Sequence, residues 1–400
     1  MQYNKILEVG PIPPPHAGWG VRIQYVLDGL RERAVECAAL SVGPDRRVPR
    51  PGVDLAPTAW HYAIKILAYL LRGYRIHFHL NGDSPKAYLM VLYGAGLSLL
   101  FARRAVLTWH GGVPQRFFPK GRHWLADLCH HALFRLHKAI ICNDDQIKAY
   151  LMAYGIAPAK VVPIQAFSRQ YLEFQEVPLP GDLEAFFEDR TPRMFCYAYF
   201  RPEFYLPVLV DALRTIQQRY PDFGLVMVGF KQGCNQMQTQ LDELGLGDHV
   251  TFVGDLDRNQ FLTLLSRVDL SIRTPIRDGV SSSVLEALGL GVPVVAAANP
   301  LRPAAVVQYP GEDSAALADA VTQVLTRQPA NRRRPLVEIP DTVADEIQVL
   351  VHSEPVMPAS AASEHQTQDS TGPAPRSVPQ AEAAEAEAFA QPPVANHQPR

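Results

Sequence analysis

Asp278, Ser281, Ser282, Ser283 and Glu286 fall close together in the stretch VDLSIRTPIRDGVSSSVLEALGLGVPVVAAA, residues 268–298. Val268–Ile272 reads as a strand, a loop carries Asp278 and Gly279, and a short helix follows the three serines. The double glycine interruption, Gly289 and Gly291, leads to another strand, Val292–Ala297. Such an arrangement suits a phosphorylated ligand. In open α/β sheets ligands sit beyond the carboxyl ends of strands. A helix starting there turns unpaired N–H groups and a positive dipole end toward an anion. Gly279 admits close backbone approach, and the serines add hydroxyl donors, so a diphosphate is a natural occupant. The spacing also allows a purely local reading: Ser283-x-x-Glu286 is a capping box, in which Glu286 would close its own helix terminus.

The segment resembles the signature of the family 4 glycosyltransferases. That pattern has an acidic residue, seven residues, a Glu-Ala, a small helix end and Gly-x-Pro-Val-Val-Ala. Here it reads Asp278, Glu286-Ala287 and Gly291-Val292-Pro293-Val294-Val295-Ala296. A subgroup with Arg-Pro-Thr, Asp-Gly, Ser, Glu-Ala-Leu and a later Arg-Pro is similar to Arg273-Thr274-Pro275, Asp278-Gly279, Ser281–Ser283, Glu286-Ala287-Leu288 and Arg302-Pro303, with Thr274 and Pro275 transposed. The resemblance covers about residues 5–327, densely in the second half. It implies two Rossmann-like domains facing across a cleft (the GT-B type) and transfer of a sugar from a nucleoside diphosphate with retention at the anomeric carbon. It further implies that Glu286 binds the ribose hydroxyls, that Asp278 faces the transferred sugar, and that the amides of Gly279, Val280, Ser281, Ser282 and Ser283 hold the diphosphate.

Other residues join this picture at different strengths. In the loop Pro13–Gly20, Gly18 and Gly20 match the glycine loop that in the family reaches the donor phosphates; read locally they are a Pro/Gly strand-to-helix turn. His110 ends the run Leu107-Thr108-Trp109 before Gly111-Gly112, a position sterically open to a ligand; in the family a His here contacts the donor sugar or its phosphate. His77, His79, His130 and His131 read as structural. The run Cys196–Tyr205 occupies the place where the family has an Arg and a Lys on the diphosphate. By register Tyr199 and Phe204 replace them, leaving Arg201 as a substitute bidentate phosphate ligand. Gly229 and Gly254 end strands on the side where the family lines its base pocket.

These residues need a scaffold, and the alternation of short apolar runs with amphipathic stretches supplies one. Strands are expected at 5–10, 35–41, 75–80, 104–109, 138–143 and 160–164, with helices at 21–33, 60–71, 86–101 and 124–136 between several of them. The pattern restarts at 194 with strands at 194–199, 224–229, 249–253, 268–272 and 292–297. The expected division is an acceptor domain over 1–175, a linker over 176–192, a donor domain over 193–330, a terminal helical segment over 331–353 and a disordered tail over 354–400. The tail is rich in Pro, Ala, Glu, Gln and Ser, with Phe389 its one aromatic, and cannot bury enough apolar area to order itself.

The 400 residues are 47% hydrophobic and 20% charged, an ordinary globular composition. Residues 1–175 hold 21 Lys+Arg against 11 Asp+Glu, a balance of +10, and the remainder is −12. That asymmetry favours an anionic partner for the first half; with no nucleic-acid motif present, a nucleic-acid partner is not expected. Lys65, Arg72 and Arg75, with the basic and aromatic stretch 118–138, would let the first half contact an anionic membrane from its cytoplasmic side. The longest charge-free apolar run, Ala87–Ala102, is 16 residues, short of a span. Five scattered cysteines and no metal-ligand spacing fit buried thiols, with no metal or other cofactor expected beyond the nucleotide-sugar donor. The expected activity is a retaining hexosyl transfer to a hydroxyl acceptor, a growing surface glycan or a lipid-linked sugar. The alternatives are an inactive scaffolding relative, motivated by Tyr199 and Phe204, and a nucleotide-sugar epimerase of similar architecture.

Overall fold

In the computed structural model of the chain, the described residues are 3–12, 18–43, 46–82, 84–112, 115–229, 233–254, 256–276, 278, 281–327 and 335–352. The expected disordered tail, Pro13–Ala17 of the glycine loop, Gly279 and Val280 lie outside them. The first half runs β1 (Lys5–Gly10), α1 (Gly18–Glu32), β2 (Glu36–Ser41), β3 (Val53–Leu55), α2 (Ala59–Leu71), β4 (Arg75–Leu80), α3 (Pro85–Leu100), β5 (Val106–Trp109), α4 (Trp124–Leu136), β6 (Ala139–Cys142), α5 (Asp145–Met152) and β7 (Val161–Pro163). The second runs α6 (Gly181–Glu188), β8 (Arg193–Tyr197), α7 (Leu206–Arg219), β9 (Gly224–Val228), α8 (Cys234–Glu243), β10 (Val250–Val253), α9 (Arg258–Ser266), β11 (Leu270–Arg273), α10 (Ser282–Gly289), β12 (Val294–Ala297), β13 (Val307–Tyr309), α11 (Ser314–Arg327) and α12 (Thr342–Val351).

The strands form two parallel sheets, ordered β3-β2-β1-β4-β5-β6-β7 and β10-β9-β8-β11-β12-β13. The chain is therefore two Rossmann-like α/β lobes, as the alternating pattern predicts. Parallel sheets are buried on both faces, which is why their strands read as nearly continuous apolar runs. In each sheet the order reverses once, between β1 and β4 and between β8 and β11. Such reversal points open a crevice beyond the carboxyl ends of the strands, where ligands sit.

One face of the first sheet packs against Tyr62, Ile66 and Tyr69 of α2, Tyr88 and Val91 of α3, and Leu133 and Phe134 of α4. The other packs Ile6 and Val106 against Val26 and Leu30 of α1 and Val343 and Ile347 of α12. The terminal helix thus completes the first lobe although it follows the second in the chain. The expected linker holds α6, whose Leu183 and Phe187 pack with Phe195 and Val226 beneath the second sheet. Its i, i+4 apolar spacing was obscured by the surrounding prolines and acids.

Candidate functional site

The second lobe gathers its candidate residues at the β8/β11 reversal. α10 begins at Ser282 with Ser281 as its cap residue, and no side chain caps it; Ser281 Oγ instead lies 3.0 Å from Ser283 Oγ. The capping-box reading of Glu286 is thereby excluded, because Ser283 lies inside the helix and the capping position three beyond Ser281 is Val284. Glu286 points from mid-helix into the protein, 4% exposed, and receives Arg258 Nη1 at 2.5 Å. Burial raises its carboxyl above the usual range, and the Arg258 guanidinium offsets part of that rise. Arg258 opens α9 behind a capping box formed by Asp257 and Gln260, and its second nitrogen donates to the Tyr171 carbonyl. Tyr171 meets the Tyr25 ring of α1 at 5.0 Å, so Glu286 sits beside the seam where the lobes touch.

Asp278 is held from two sides. Arg273, the last residue of β11, donates to both of its oxygens at 2.8 and 3.1 Å, and Arg302 Nη1 donates at 2.9 Å. Asn299 fixes the loop by donating to the carbonyls of Asp278 and Ile276. Two guanidiniums share one carboxylate, leaving a local positive excess at the strand ends. The place of the family's Arg and Lys is an aromatic cluster: the Tyr199 ring lies 5.5 Å from Phe204, and its hydroxyl is 2.6 Å from that of Tyr197. Arginines sit over these rings, Arg273 at 5.4 Å from Phe204 and Arg201 at 5.6 Å from Tyr199. Arg201 is largely exposed and 3.7 Å from Glu203. Gly229 has φ +97° and a Cβ there would meet the Ala198 carbonyl at 3.1 Å, so this strand end accepts only glycine without strain. Gly254 follows β10 in open space.

In the first lobe, Gly18 and Gly20 lie within the first turn of α1, not in the preceding loop as expected. The helix begins there because glycine does not prevent a first turn whose packing is supplied further along. His110 follows β5 and is one end of a buried polar chain. Register places Glu8 beside His77 and His79 beside Thr108, all on one face of three neighbouring strands. His77 Nδ1 is 3.0 Å and His79 Nε2 2.9 Å from Glu8 oxygens; His79 Nδ1 is 2.9 Å from His110 Nε2. Burial alone would raise Glu8, but the charge of His77 and the hydrogen bonds of both rings bring it to about 2. Burial pushes His77 down, and Glu8 outweighs it, raising the ring above its ordinary value. Burial and the neighbouring His77 lower His79, and burial lowers His110 well below its ordinary value. A neutral His79 that donates to Glu8 must accept at Nδ1, so His110 carries its proton on Nε2. His77 Nε2 reaches Thr108 Oγ1 at 2.8 Å, which bonds Glu346 of α12, itself paired with Arg22 of α1 at 2.6 Å.

His77 and His79 are buried, hydrogen-bonded residues, in keeping with the structural reading of the sequence, while nothing in the linear sequence points to Arg258. Arg273 and Arg302 stand in the sequence only as motif residues, and their shared carboxylate appears in the fold. Among the described residues, Glu8, His77 and His79 are the one group whose ligand atoms lie within 4.8 Å of one another, as a metal site requires. Their mutual hydrogen bonds already satisfy them. No described helix is long and apolar enough to cross a membrane.

The chain is 30% identical over 139 residues to a D-inositol 3-phosphate glycosyltransferase of Mycolicibacterium smegmatis, a match covering 32% of this chain and 32% of that protein. In fold it is similar to a UDP-N-acetylglucosamine 2-epimerase described as putative from Listeria monocytogenes (15% identity, 87% and 95% of the two chains, TM-score 0.60). It is also similar to Anabaena HepE solved in complex with UDP (15% identity, 87% and 96% of the two chains, TM-score 0.55). Residues 184–338, which include Glu286, Asp278 and Arg273, match the family described as Glycosyl transferases group 1.

Proposed function

We propose that the chain is a retaining glycosyltransferase that moves a hexose from a nucleoside diphosphate to a hydroxyl acceptor. The observation that supports this best is the buried Glu286 carboxylate on α10, beside a helix terminus free of any side-chain cap, at the β8/β11 reversal of a group 1 domain. The carboxylate would accept from the ribose hydroxyls. The α10 terminus would meet the diphosphate, with Ser281, Ser282 and Ser283 as hydroxyl donors. Arg273 and Arg201, carried over the aromatic cluster, would supply the charge that Tyr199 and Phe204 lack, and Asp278, bridging Arg273 and Arg302, would orient them toward the sugar. Gly229 and Gly254 would border the base.

In the reaction the acceptor oxygen bonds to the anomeric carbon as the bond from that carbon to the phosphate oxygen breaks. The diphosphate leaves with the electron pair and takes the acceptor proton. Guanidiniums and helix amides stabilise the developing charge, a design in which no side chain acts as nucleophile and no metal is obligatory. His110 would donate through Nε2–H to His79 and so present a fixed ring at the sugar. HepE bound to UDP supports a uridine nucleotide as first donor candidate. The acceptor class would be a growing surface glycan or lipid-linked sugar.

Calorimetric titration with UDP, GDP and ADP tests this reading, with Glu286→Ala as control. One nucleotide binding the parent and losing affinity about tenfold or more in the variant supports it, since a hydrogen bond to a charged group is worth about 1.5–3 kcal/mol. No binding to the folded parent would instead favour an inactive, scaffolding relative. The likeness to an epimerase adds one further arm: turnover of the donor sugar without any acceptor would replace transfer by epimerisation.

A further inference from the structure

The helices on one face of the first sheet present apolar residues to water as well as to the core. On α2 the inward set is Tyr62, Ile66, Tyr69 and Leu70; the opposite stripe is Trp60, Ile64, Leu67 and Leu71, spaced i, i+4, i+7, i+11, with Trp60 72% exposed. α3 repeats the spacing with Leu89, Tyr93 and Leu100, the last 80% exposed. α4 continues it with Trp124, 76% exposed, and Leu128. Eleven of the sixteen exposed large apolar residues among the described residues lie on these three helices. α2 packs beside α3 and α3 beside α4, so the stripes make one surface. Scattered exposed leucines need no explanation; a contiguous patch of this kind marks an interaction site.

The charges name the occupant. Residues 59–138 carry eleven Lys+Arg and two Asp+Glu; of the three cations expected to face a membrane, Arg75 is instead buried against the carbonyls at the end of α12 and Lys65 pairs with Asp54, which leaves Arg72. Arg72, Lys86, Lys120 and Arg122 are exposed beside the stripes, while Asp127 is engaged by the Gly121 amide and the Tyr154 hydroxyl. A second copy meeting this face across a twofold axis would set one basic rim against another. A surface of phospholipid phosphates offers apolar depth and negative charge together, and tryptophans at helix starts suit its interfacial zone. We propose that α2, α3 and α4 dock the first lobe on an anionic lipid bilayer, lying in its interface without spanning it.

The test is flotation of the full chain with vesicles of phosphatidylcholine alone and of phosphatidylcholine with an equal part of phosphatidylglycerol. Binding is expected to the anionic vesicles and to weaken with added salt. Trp60→Ser with Leu100→Ser should lower the bound fraction about tenfold or more, with the thermal midpoint unchanged because both side chains are exposed. Leu244→Ser, an exposed apolar position on the second lobe, should leave binding alone. Brominated lipid should quench tryptophan emission in the parent. Equal binding to neutral vesicles, no binding, or concentration-dependent self-association abolished by the double variant would each overturn the proposal, the last by making the face a contact between copies.

Discussion

Replacing Arg258 by Met isolates the Glu286 carboxylate without touching it. Arg258 is the charged partner of Glu286, whose side chain is 6% exposed while that of Arg258 is 39% exposed. Removing one member of a fully buried pair costs about 3–5 kcal/mol. Water screens the exposed guanidinium, so about half of that, ~2 kcal/mol, is expected here. For a lobe of this size that is a fall of about 4–8 °C in midpoint. The pH dependence carries the sharper test. Burial raises the Glu286 carboxyl in the folded protein and Arg258 offsets the rise; without Arg258 the group climbs further. A group raised on folding contributes stability that is present below its unfolded value and lost as pH rises through the folded one. The deficit of Arg258→Met should therefore be small at about pH 4.5 and grow toward about pH 7. Arg258→Met with Glu286→Gln should recover most of it. Thermal unfolding across that range measures all three proteins. A deficit that does not vary with pH, or a double variant no better than the single, would refute the account of Glu286 as a buried carboxyl whose upward shift Arg258 limits.

Three further perturbations follow from the geometry. Asp278→Asn leaves Arg273 and Arg302 against each other without their carboxylate, and should lower stability by about 1–3 kcal/mol, with Arg302→Met in the same chain recovering part; urea unfolding reads both. Glu8→Gln should lower the proton affinity of His77, moving its titration down by about one unit or more, and release the His110 tautomer, both read by nitrogen NMR of the imidazoles. Gly229→Ala forces a side chain into a positive-φ position against the Ala198 carbonyl, and should cost about 1–2 kcal/mol and weaken nucleotide binding, whereas Gly254→Ala, in open space, should not.

Much of the architecture was legible along the chain because it is written locally. β1 and β4 match their predicted spans residue for residue, and so does α4, since each is a run of one period bounded by its own cap or turn. The three-residue strands β3 and β13 have no expected counterpart, whereas β7, equally short, lies within the apolar run expected at 160–164. α6 hides among prolines and acids. The site divides in the same way. Asp278, the serines and Glu286 lie on one short stretch, but whether Glu286 capped its helix or faced inward depended on where α10 starts, which spacing alone leaves open. Arg258 reaches Glu286 from another helix, and Glu8 reaches His77 through strand register across 69 residues. Pairings of that kind exist only once the sheet order is known.

The return of α12 to the first lobe also sets an order of assembly. Arg22, His77 and Thr108 find Glu346 only from a helix that follows the whole second lobe in the chain. During synthesis the ribosome releases every strand of both sheets before the piece that seals the ionic core of the first. On this connectivity the first lobe is expected to stay open on that face until α12 is supplied. Residues 1–175 made alone should remain in that waiting state. A separate peptide spanning 335–352 should dock into it, turning a one-chain protein into one that can be closed by a part supplied from outside.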